Sequence, residues 1–385
     1  MRLAIVTTHP IQYNAPWFSL LAQCKGVAVK VFYTWEQSKD NEKYDPGFGK
    51  VIGWDIPLLD GYDYTFVKNI SADPGSHHFK GVDNPTLIEE IKAWNANAVL
   101  VFGWPFKSHL ACMKYFKGKI PVLFRGDSTL LDEQQGIKKI LRRLFLRYIY
   151  RHIDYALYVG SNNKQYFLAH GLKEKQLILA PHAIDNDRFS EPDNQYKQAA
   201  AEWRNKLGIT QNHFVLLFAG KLEEKKDPAF MLQLAKALSS ERYRFIIVGN
   251  GPMEQQLKQE ASQDNRIIFI DFQNQQAMPV VYRMANIFIL PSRGPGETWG
   301  LALNEAMACK RSVISTIRTG GAVDLIDGNG IVIEPGDVTT TAAYINTLYS
   351  DHGVYEKAAS RSAEKVKEFS FNRIVDNIQL LLSKI

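Results

Sequence analysis

The sequence predicts an α/β protein built from two wound parallel sheets, and three observations point there. Short β-branched or aromatic runs alternate with helical segments through the first half. A stretch rich in Pro, Asp and Asn and without periodicity, APHAIDNDRFSEPDNQ at 180–195, interrupts the alternation, which restarts beyond Trp203. Strands that alternate with helices pair in parallel, because a parallel pair needs a crossover long enough to hold a helix. A length of 385 residues fits two such domains at roughly 100–200 residues each. The composition, 45% hydrophobic, 22% charged and 12% aromatic, allows a sizeable core in each half and excludes wholesale disorder and collagen-like repeats.

In chain order, the strands expected in the first half are RLAIVT (2–7), VAVKVFYT (27–34), NAVLVFG (97–103), IPVLFRG (120–126) and YALYVG (155–160). NPTLIEEIKAWN (84–95) reads as an intervening helix, with Asn84 as cap and Pro85 in the first turn, where its missing N–H is no loss. Segment 36–80, rich in Asp, Gly, Tyr and Lys, reads as an insertion or a mobile loop, and 180–195 as an interdomain linker. The second sheet is expected from FVLLFAG (214–220), YRFIIVG (243–249), RIIFID (266–271), NIFILPS (286–292), RSVIS (311–315) and GIVIE (330–334). No fixed-period repeat relates the two halves.

No run reaches the roughly 18–20 apolar residues that span a bilayer; LFLRYIY (144–150) is broken by Arg147. The opening MRLAIVTTHPIQY reads as a first strand rather than a signal peptide, so a cytoplasmic protein is expected. Cys24, Cys112 and Cys309 lie far apart with no C-x-x-C pair, which gives neither a disulfide framework nor a zinc site; buried free thiols are expected.

The net charge of +6 lies in the first half: residues 1–190 hold 24 Lys and Arg against 18 Asp and Glu, and residues 191–385 hold 22 of each. One segment, GIKKILRRLFLRYIYRHID (136–154), carries six basic residues and one acid. Its helical periodicity places Ile137, Ile140, Leu141, Leu144, Phe145 and Tyr148 on one face and Lys138, Lys139, Arg142, Arg143 and Arg147 opposite. Two readings fit: an interfacial helix on anionic lipid, peripheral on the inner face of a membrane, or a surface helix whose apolar stripe meets the core. The stripe cannot do both. No aromatic-interleaved basic platform or reading-helix motif accompanies the charge, so no nucleic-acid partner is expected.

Three loops at the carboxyl ends of second-half strands carry the chemistry, since this is the edge where wound sheets bind ligands. In AGKLEEKKDP, Gly220 and Lys221 follow a strand, and Lys225 and Lys226 precede a helix begun by Pro228. Cations beside a helix amino terminus suit a phosphate or diphosphate, although such lysines are also commonly solvated. VGNGPMEQQL (248–257) holds Gly249 and Gly251 in part of a dinucleotide fingerprint without its third Gly; a tight strand-to-helix turn explains it equally. In PSRGPGETWGLALNEAMACKRSVI (291–314), a punctuated loop enters a helix near Gly300, and the amides of Trp299, Gly300 and Leu301 are expected to form a phosphate nest. Glu297 precedes this helix and Glu305 lies inside it, about 7.5 Å beyond Gly300 at the helical rise. One carboxylate can then reach the sugar side and the other the nucleoside side of a diphosphate lying across the helix start. Glu305 is set among small and apolar neighbours, where a Glu needs a partner.

These loops, taken together and in order, resemble the family-4 glycosyltransferases of the GT-B fold: a GRLxxxKG-like loop at Gly220–Asp227, a GxGP turn at Gly249–Pro252, the Glu-x7-Glu block at Pro291–Val313 and a GG…D tail from Gly320 to Asp337. The resemblance implies two Rossmann-like domains facing a central cleft: an acceptor-binding domain at 1–185, a nucleotide-sugar-binding domain at 186–365, and a C-terminal helix at 366–385 crossing back to the first. It implies that Glu305 binds the nucleotide ribose, that Glu297 contacts donor-sugar hydroxyls, and that Lys221 and Lys226 hold the diphosphate. A hexosyl group would pass from a UDP- or GDP-sugar to a glycan or lipid-linked acceptor with retained configuration. No cofactor and no metal are expected, the diphosphate charge being met by Lys and backbone amides. Lys221 stands where the family usually has Arg, which loses the bidentate fork; Asp227 and Lys310 stand where Gly is usual.

The first half departs further. In place of a glycine-rich loop after the first strand it has THPIQYNAP (8–16), making His9, Tyr13 and Asn14 candidates for acceptor or phosphate contact, with loop packing as the plain alternative. After IPVLF, where relatives present a His to the donor sugar, the chain has Arg125-Gly126-Asp127-Ser128: Arg125 is an acceptor-binding candidate, and Asp127 could take the hydroxyl-binding place, act as base, or cap a helix. His109 is a further cleft-edge catalytic candidate, and His182 is expected to pack at the hinge. Closure of the cleft would exclude water from a reactive glycosyl cation. Two rivals stay open: a GT-B-fold nucleotide-sugar epimerase, which would need a first-domain carboxylate and His set not identified here, and a non-catalytic sugar-nucleotide binding module. The absent third Gly disfavours a dehydrogenase.

Overall fold

The computed structural model describes residues 1–35, 42–45, 50–53, 55–190 and 194–385. Its contacts divide the chain into two units, one of Met1–Lys43, Ile56–His182 and Phe371–Ile385, the other of Tyr44–Asp55 and Ala183–Ser370. The sequence reading put the divisions at 185 and 365. Of the expected insertion at 36–80, residues 36–41, 46–49 and 54 lie outside the described residues.

The strands are β1 (Arg2–Thr7), β2 (Ala28–Tyr33), β3 (Glu42–Asp45), β4 (Lys50–Gly53), β5 (Asp63–Phe66), β6 (Ala98–Phe102), β7 (Val122–Arg125), β8 (Tyr155–Tyr158) and β9 (Leu177–Leu179), then β10 (Phe214–Ala219), β11 (Tyr243–Val248), β12 (Ile267–Ile270), β13 (Ile287–Leu290), β14 (Ser312–Thr316) and β15 (Gly330–Ile333). In the first unit seven strands run in the order β5-β2-β1-β6-β7-β8-β9; β3 pairs with β4 as a separate ribbon that lies mostly in the second unit. Strand β1 lies between β2 and β6, with Ile5 opposite Val31 and Leu100 in parallel register. Leu3, Ala4, Ile5 and Val6 are all fully buried, so both faces of β1 are covered and its sequence reads as a continuous apolar run. Asn84 does not cap its helix, which spans Leu87–Ala93. It is buried, and its amide donates to Thr34 O (3.0 Å) and Val67 O (2.8 Å), tying the exits of β2 and β5.

The helix Phe371–Leu382 buries Phe371, Ile374, Val375, Ile378, Leu381 and Leu382 at helical spacing. It packs on the helix Ala15–Ala22 and on β9, where Asn377 donates to Leu179 O at 2.8 Å. The expected linker is ordered at 186–190 as a short helix. Arg188 there donates to the Gln275 side chain at 2.9 Å.

The basic helix spans Ile137–Tyr150 and corrects the core-stripe reading of its sequence. Leu146, Ile149 and Tyr150 enter the core of the first unit. The longer stripe, from Ile137 to Tyr148, faces outward.

In the second unit six parallel strands run in the order β12-β11-β10-β13-β14-β15. Leu216 of β10 lies opposite Phe245 of β11 on one side and Ile287 of β13 on the other. The chain steps from β10 to β11 and β12 on one side and then crosses back to β13 on the other, which makes the β10/β13 boundary the switch point of this sheet.

Candidate active site

The loops that follow β10 (220–227) and β13 (291–300) border the switch point. The first lies along the turn after β11: Leu222 N donates to Asn250 O at 3.0 Å and Met253 N to Leu222 O at 3.0 Å. This approach explains the glycines. A Cβ on Gly249 would sit 2.0 Å from Gly220 O, and one on Gly251 2.6 Å from Leu222 O. Gly251 therefore has a packing reason to be Gly, in keeping with a tight strand-to-helix turn behind the 220–227 loop.

A single 3-10 turn, Glu224–Lys226, ends at Asp227 with φ +50°. The usual Gly here is thus a left-handed position, which Asp tolerates better than most residues. Lys310, the other departure from Gly, also has a left-handed φ, +57°. Asp227 is buried and takes the Arg293 guanidinium at 2.6 Å. Burial pushes its carboxyl up, and the Arg293 bond opposes this.

Two ion pairs and a backbone bond join the two loops. Arg293 pairs with Asp227, the Lys226 ammonium pairs with Glu297, and Arg293 N donates to Lys225 O at 2.8 Å. Ser292 Oγ donates to the same Glu297 oxygen at 3.1 Å. Lys226 and Glu297 are therefore in contact. Lys221 is half-buried, and Lys225 is exposed at 3.3 Å from Glu223.

The helix Leu301–Ala308 starts from Gly300 at φ +91°. A Cβ there would meet Thr319 Cγ2 at 2.7 Å and Leu290 Cδ2 at 2.9 Å, so only Gly allows this entry. Trp299 is buried, its indole N–H donating to Asn304 Oδ1 at 2.9 Å. Gly320 N and Gly321 N donate to Glu297 O (2.8 Å) and Trp299 O (2.9 Å), fixing the loop from behind. First-turn amides have no intrahelical acceptor and carry the positive end of the helix dipole, so the start at Gly300 and Leu301 can receive an anion. Glu305, only 4% exposed, accepts a 2.7 Å hydrogen bond from the hydroxyl of Tyr282. Tyr282, Ser292 and Arg293 were not anticipated from the sequence.

The first-unit candidates fare differently. His109 is corrected: it is fully buried, with Nε2 at 2.9 Å from Thr34 Oγ1 and Nδ1 at 2.8 Å from Phe102 O. Burial pulls its pKa down to about 4. With both ring nitrogens bonded inside the core, it packs the sheet and cannot exchange a proton with substrate. Arg125 is also buried, donating to Ala180 O at 2.7 Å and stacking 5.9 Å from the Trp17 ring centroid; it braces the exit of β9 instead of facing an acceptor. Asn14 is buried and accepts from Trp17 Nε1 at 3.4 Å. His9, half-buried, has Nδ1 3.0 Å from Thr8 Oγ1 and its ring edge-on to Trp35, and Tyr13, four residues on, is also half-buried. Asp127 is half-exposed with His182 Nε2 at 3.7 Å, a pairing that the sequence did not suggest. Burial lowers the His182 pKa, opposed by Asp127.

Among the described residues, no helix is long and apolar enough to cross a membrane. Cys24, Cys112 and Cys309 are free thiols, the last two buried.

Residues 199–368 match the family Glycosyl transferases group 1. The chain is 26% identical over 224 residues to a D-inositol 3-phosphate glycosyltransferase of Geodermatophilus obscurus, covering 54% of this chain and 47% of that one, so it spans about half that relative's length. It is 26% identical over 283 residues to the O-antigen chain mannosyltransferase C of Escherichia coli, covering 71% of each. Among solved structures, Anabaena HepE in complex with UDP and glucose matches over 100% of both chains, with a TM-score of 0.71 at 17% identity. The chain has the GT-B fold, and its residues 199–368 are similar to the glycosyl transferases group 1 family.

Proposed function

We propose that the protein is a family-4, retaining glycosyltransferase that moves a hexosyl group from a UDP- or GDP-sugar to a glycan or lipid-linked acceptor without a metal ion. The observation that carries this reading is the arrangement at the β10/β13 switch point. There the Lys226–Glu297 pair stands beside the start of the helix Leu301–Ala308, and Glu305 is held by Tyr282 inside that helix. Lys226 and Lys221 would take the diphosphate together with the amides at Gly300 and Leu301; Glu305 would accept the ribose hydroxyls. When the diphosphate takes Lys226, Glu297 is released to accept a donor-sugar hydroxyl.

In the transfer, the bond from the anomeric carbon to the leaving phosphate oxygen breaks. A bond to the acceptor oxygen forms on the same face, and the acceptor proton passes to the leaving oxygen. No strong protein base is needed, which agrees with the burial of His109. Asp127, beside His182, is retained as an acceptor-orienting candidate, along with His9 and Tyr13.

The test is thermal stabilisation by uridine, guanosine, adenosine and thymidine diphosphates in metal-chelating buffer, on the wild type and on Glu305→Ala. A ligand at 100 times its dissociation constant adds about 2.7 kcal/mol. A shift with one base that is lost in the variant supports the donor site; no shift with any of them overturns it. Acceptor-dependent release of the diphosphate, with retained configuration in the product, separates transfer from epimerisation.

A further inference from the structure

The helix Ile137–Tyr150 is apolar on two opposite faces. Leu146, Ile149 and Tyr150 turn inward, while Ile137 (76% exposed), Ile140 and Leu141 (60% each), Leu144 (58%), Phe145 (49%) and Tyr148 (42%) turn outward. Single exposed apolar residues are ordinary on a folded surface, whereas six on one helix face form a patch. Trp104 extends it, its ring edge-on to Phe145 at 5.4 Å.

Cations rim the patch. Lys138, Arg147 and Arg151 are exposed; the Arg151 guanidinium lies 4.4 Å and the Lys114 ammonium 5.4 Å from the ring centroid of Tyr148. Of the two acids that precede the helix, Asp132 and Glu133, the second is paired with Lys139 (2.8 Å) and Arg143 (3.1 Å).

We propose that this helix docks the protein on an anionic lipid surface, lying flat with the Ile137–Tyr148 ridge among the upper acyl chains and the flanking cations at the phosphates. Charge complementarity selects the occupant. A second copy of the chain would bring the same positive rim against this one, and an uncharged apolar partner would leave the rim unanswered. An anionic bilayer meets both the ridge and the rim. The inference is independent of which donor the second unit binds.

The test is co-sedimentation of the full chain with vesicles of phosphatidylcholine alone and of phosphatidylcholine mixed with phosphatidylglycerol, at low and high salt. Two double variants accompany it, Ile140→Ser with Leu144→Ser and Lys138→Ala with Arg147→Ala. All four positions are exposed, so the fold should persist, which circular dichroism melts check. The wild type is expected to sediment with the anionic vesicles only, and to be released by salt. The charge variant should bind about 30-fold more weakly at low salt, and the serine variant should fail to bind. The proposal is overturned if the wild type stays in the supernatant with anionic vesicles, or if the serine variant binds as tightly as the wild type. It is also overturned if the wild type ignores lipid and forms a dimer that the serine variant dissociates.

Discussion

Tyr282→Phe removes one oxygen atom and tests how the proposed ribose-binding carboxylate is held. The hydroxyl donates to Glu305 at 2.7 Å, with Tyr282 1% and Glu305 4% exposed, so water cannot readily replace it. A hydrogen bond to a charged group contributes about 1.5–3 kcal/mol. For a unit of this size each kcal/mol moves the melting temperature by roughly 2–4 °C, so a fall of about 3–12 °C is expected. If the bond also orients Glu305 for the nucleotide, affinity for the preferred nucleoside diphosphate falls about tenfold, equivalent to about 1.4 kcal/mol. Calorimetric melts and titrations on Tyr282→Phe, Glu305→Gln and the double variant measure the two effects, and the two substitutions should couple by about 1 kcal/mol because the residues are in contact. Unchanged melting in Tyr282→Phe would refute the energetic argument. A lowered melting temperature with wild-type nucleotide affinity in both single variants would show that Glu305 supports the fold and does not hold the ribose.

Three further outcomes follow from the same geometry. Because the His109 pKa is about 4 when folded and about 6.5 when unfolded, the unfolded chain binds more protons between these values. Stability is therefore present above about pH 6.5 and lost as the pH falls towards 4, by about 3 kcal/mol in full, and His109→Gln should flatten that slope in pH-dependent denaturation. Lys310→Gly relieves a left-handed residue after the helix Leu301–Ala308 and should raise stability by about 1 kcal/mol in urea titrations. Gly249→Ala forces a methyl to within 2.0 Å of Gly220 O and should displace the loop that carries Lys221 and Lys226, lowering both melting temperature and nucleotide affinity. Wild-type affinity in that variant would show that the loop is not needed for binding.

The long strands were legible because each is a β-branched or aromatic run covered on both faces, as at Leu3–Val6. The Leu177–Leu179 strand was not, since three residues carry no period. The glycines of the switch-point loops were legible as a pattern, and Gly300 and Gly249 prove to be positions where a Cβ has no room. Tyr282 was hidden because it reaches Glu305 from another helix, 23 residues away, and nothing in MPVVYR distinguishes a core tyrosine from one that holds a carboxylate. Periodicity found the Ile137 to Tyr148 stripe and left open whether core or lipid takes it; the core takes Leu146, Ile149 and Tyr150 instead, from the face that periodicity assigned to the cations. Arg125, at the carboxyl end of a strand, and His109, in the helix that follows one, misled because polar residues near that edge suggest chemistry, whereas here each satisfies buried carbonyls of its own unit.

The two switch-point loops are electrically self-contained. Lys221, Lys225, Lys226 and Arg293 stand with Glu223, Glu224, Asp227 and Glu297, a formal balance of zero, and Lys225, Lys226 and Arg293 are each engaged in an ion pair with one of these carboxylates. Such an edge exerts little long-range pull on an anion, so donor association should depend only weakly on ionic strength. On the proposed donor reading, binding would proceed by exchange of partners, the diphosphate displacing Glu297 from Lys226. The reverse exchange would then have its own driving force: the released carboxylate would compete for its lysine, and the re-forming pair would help expel the spent nucleotide.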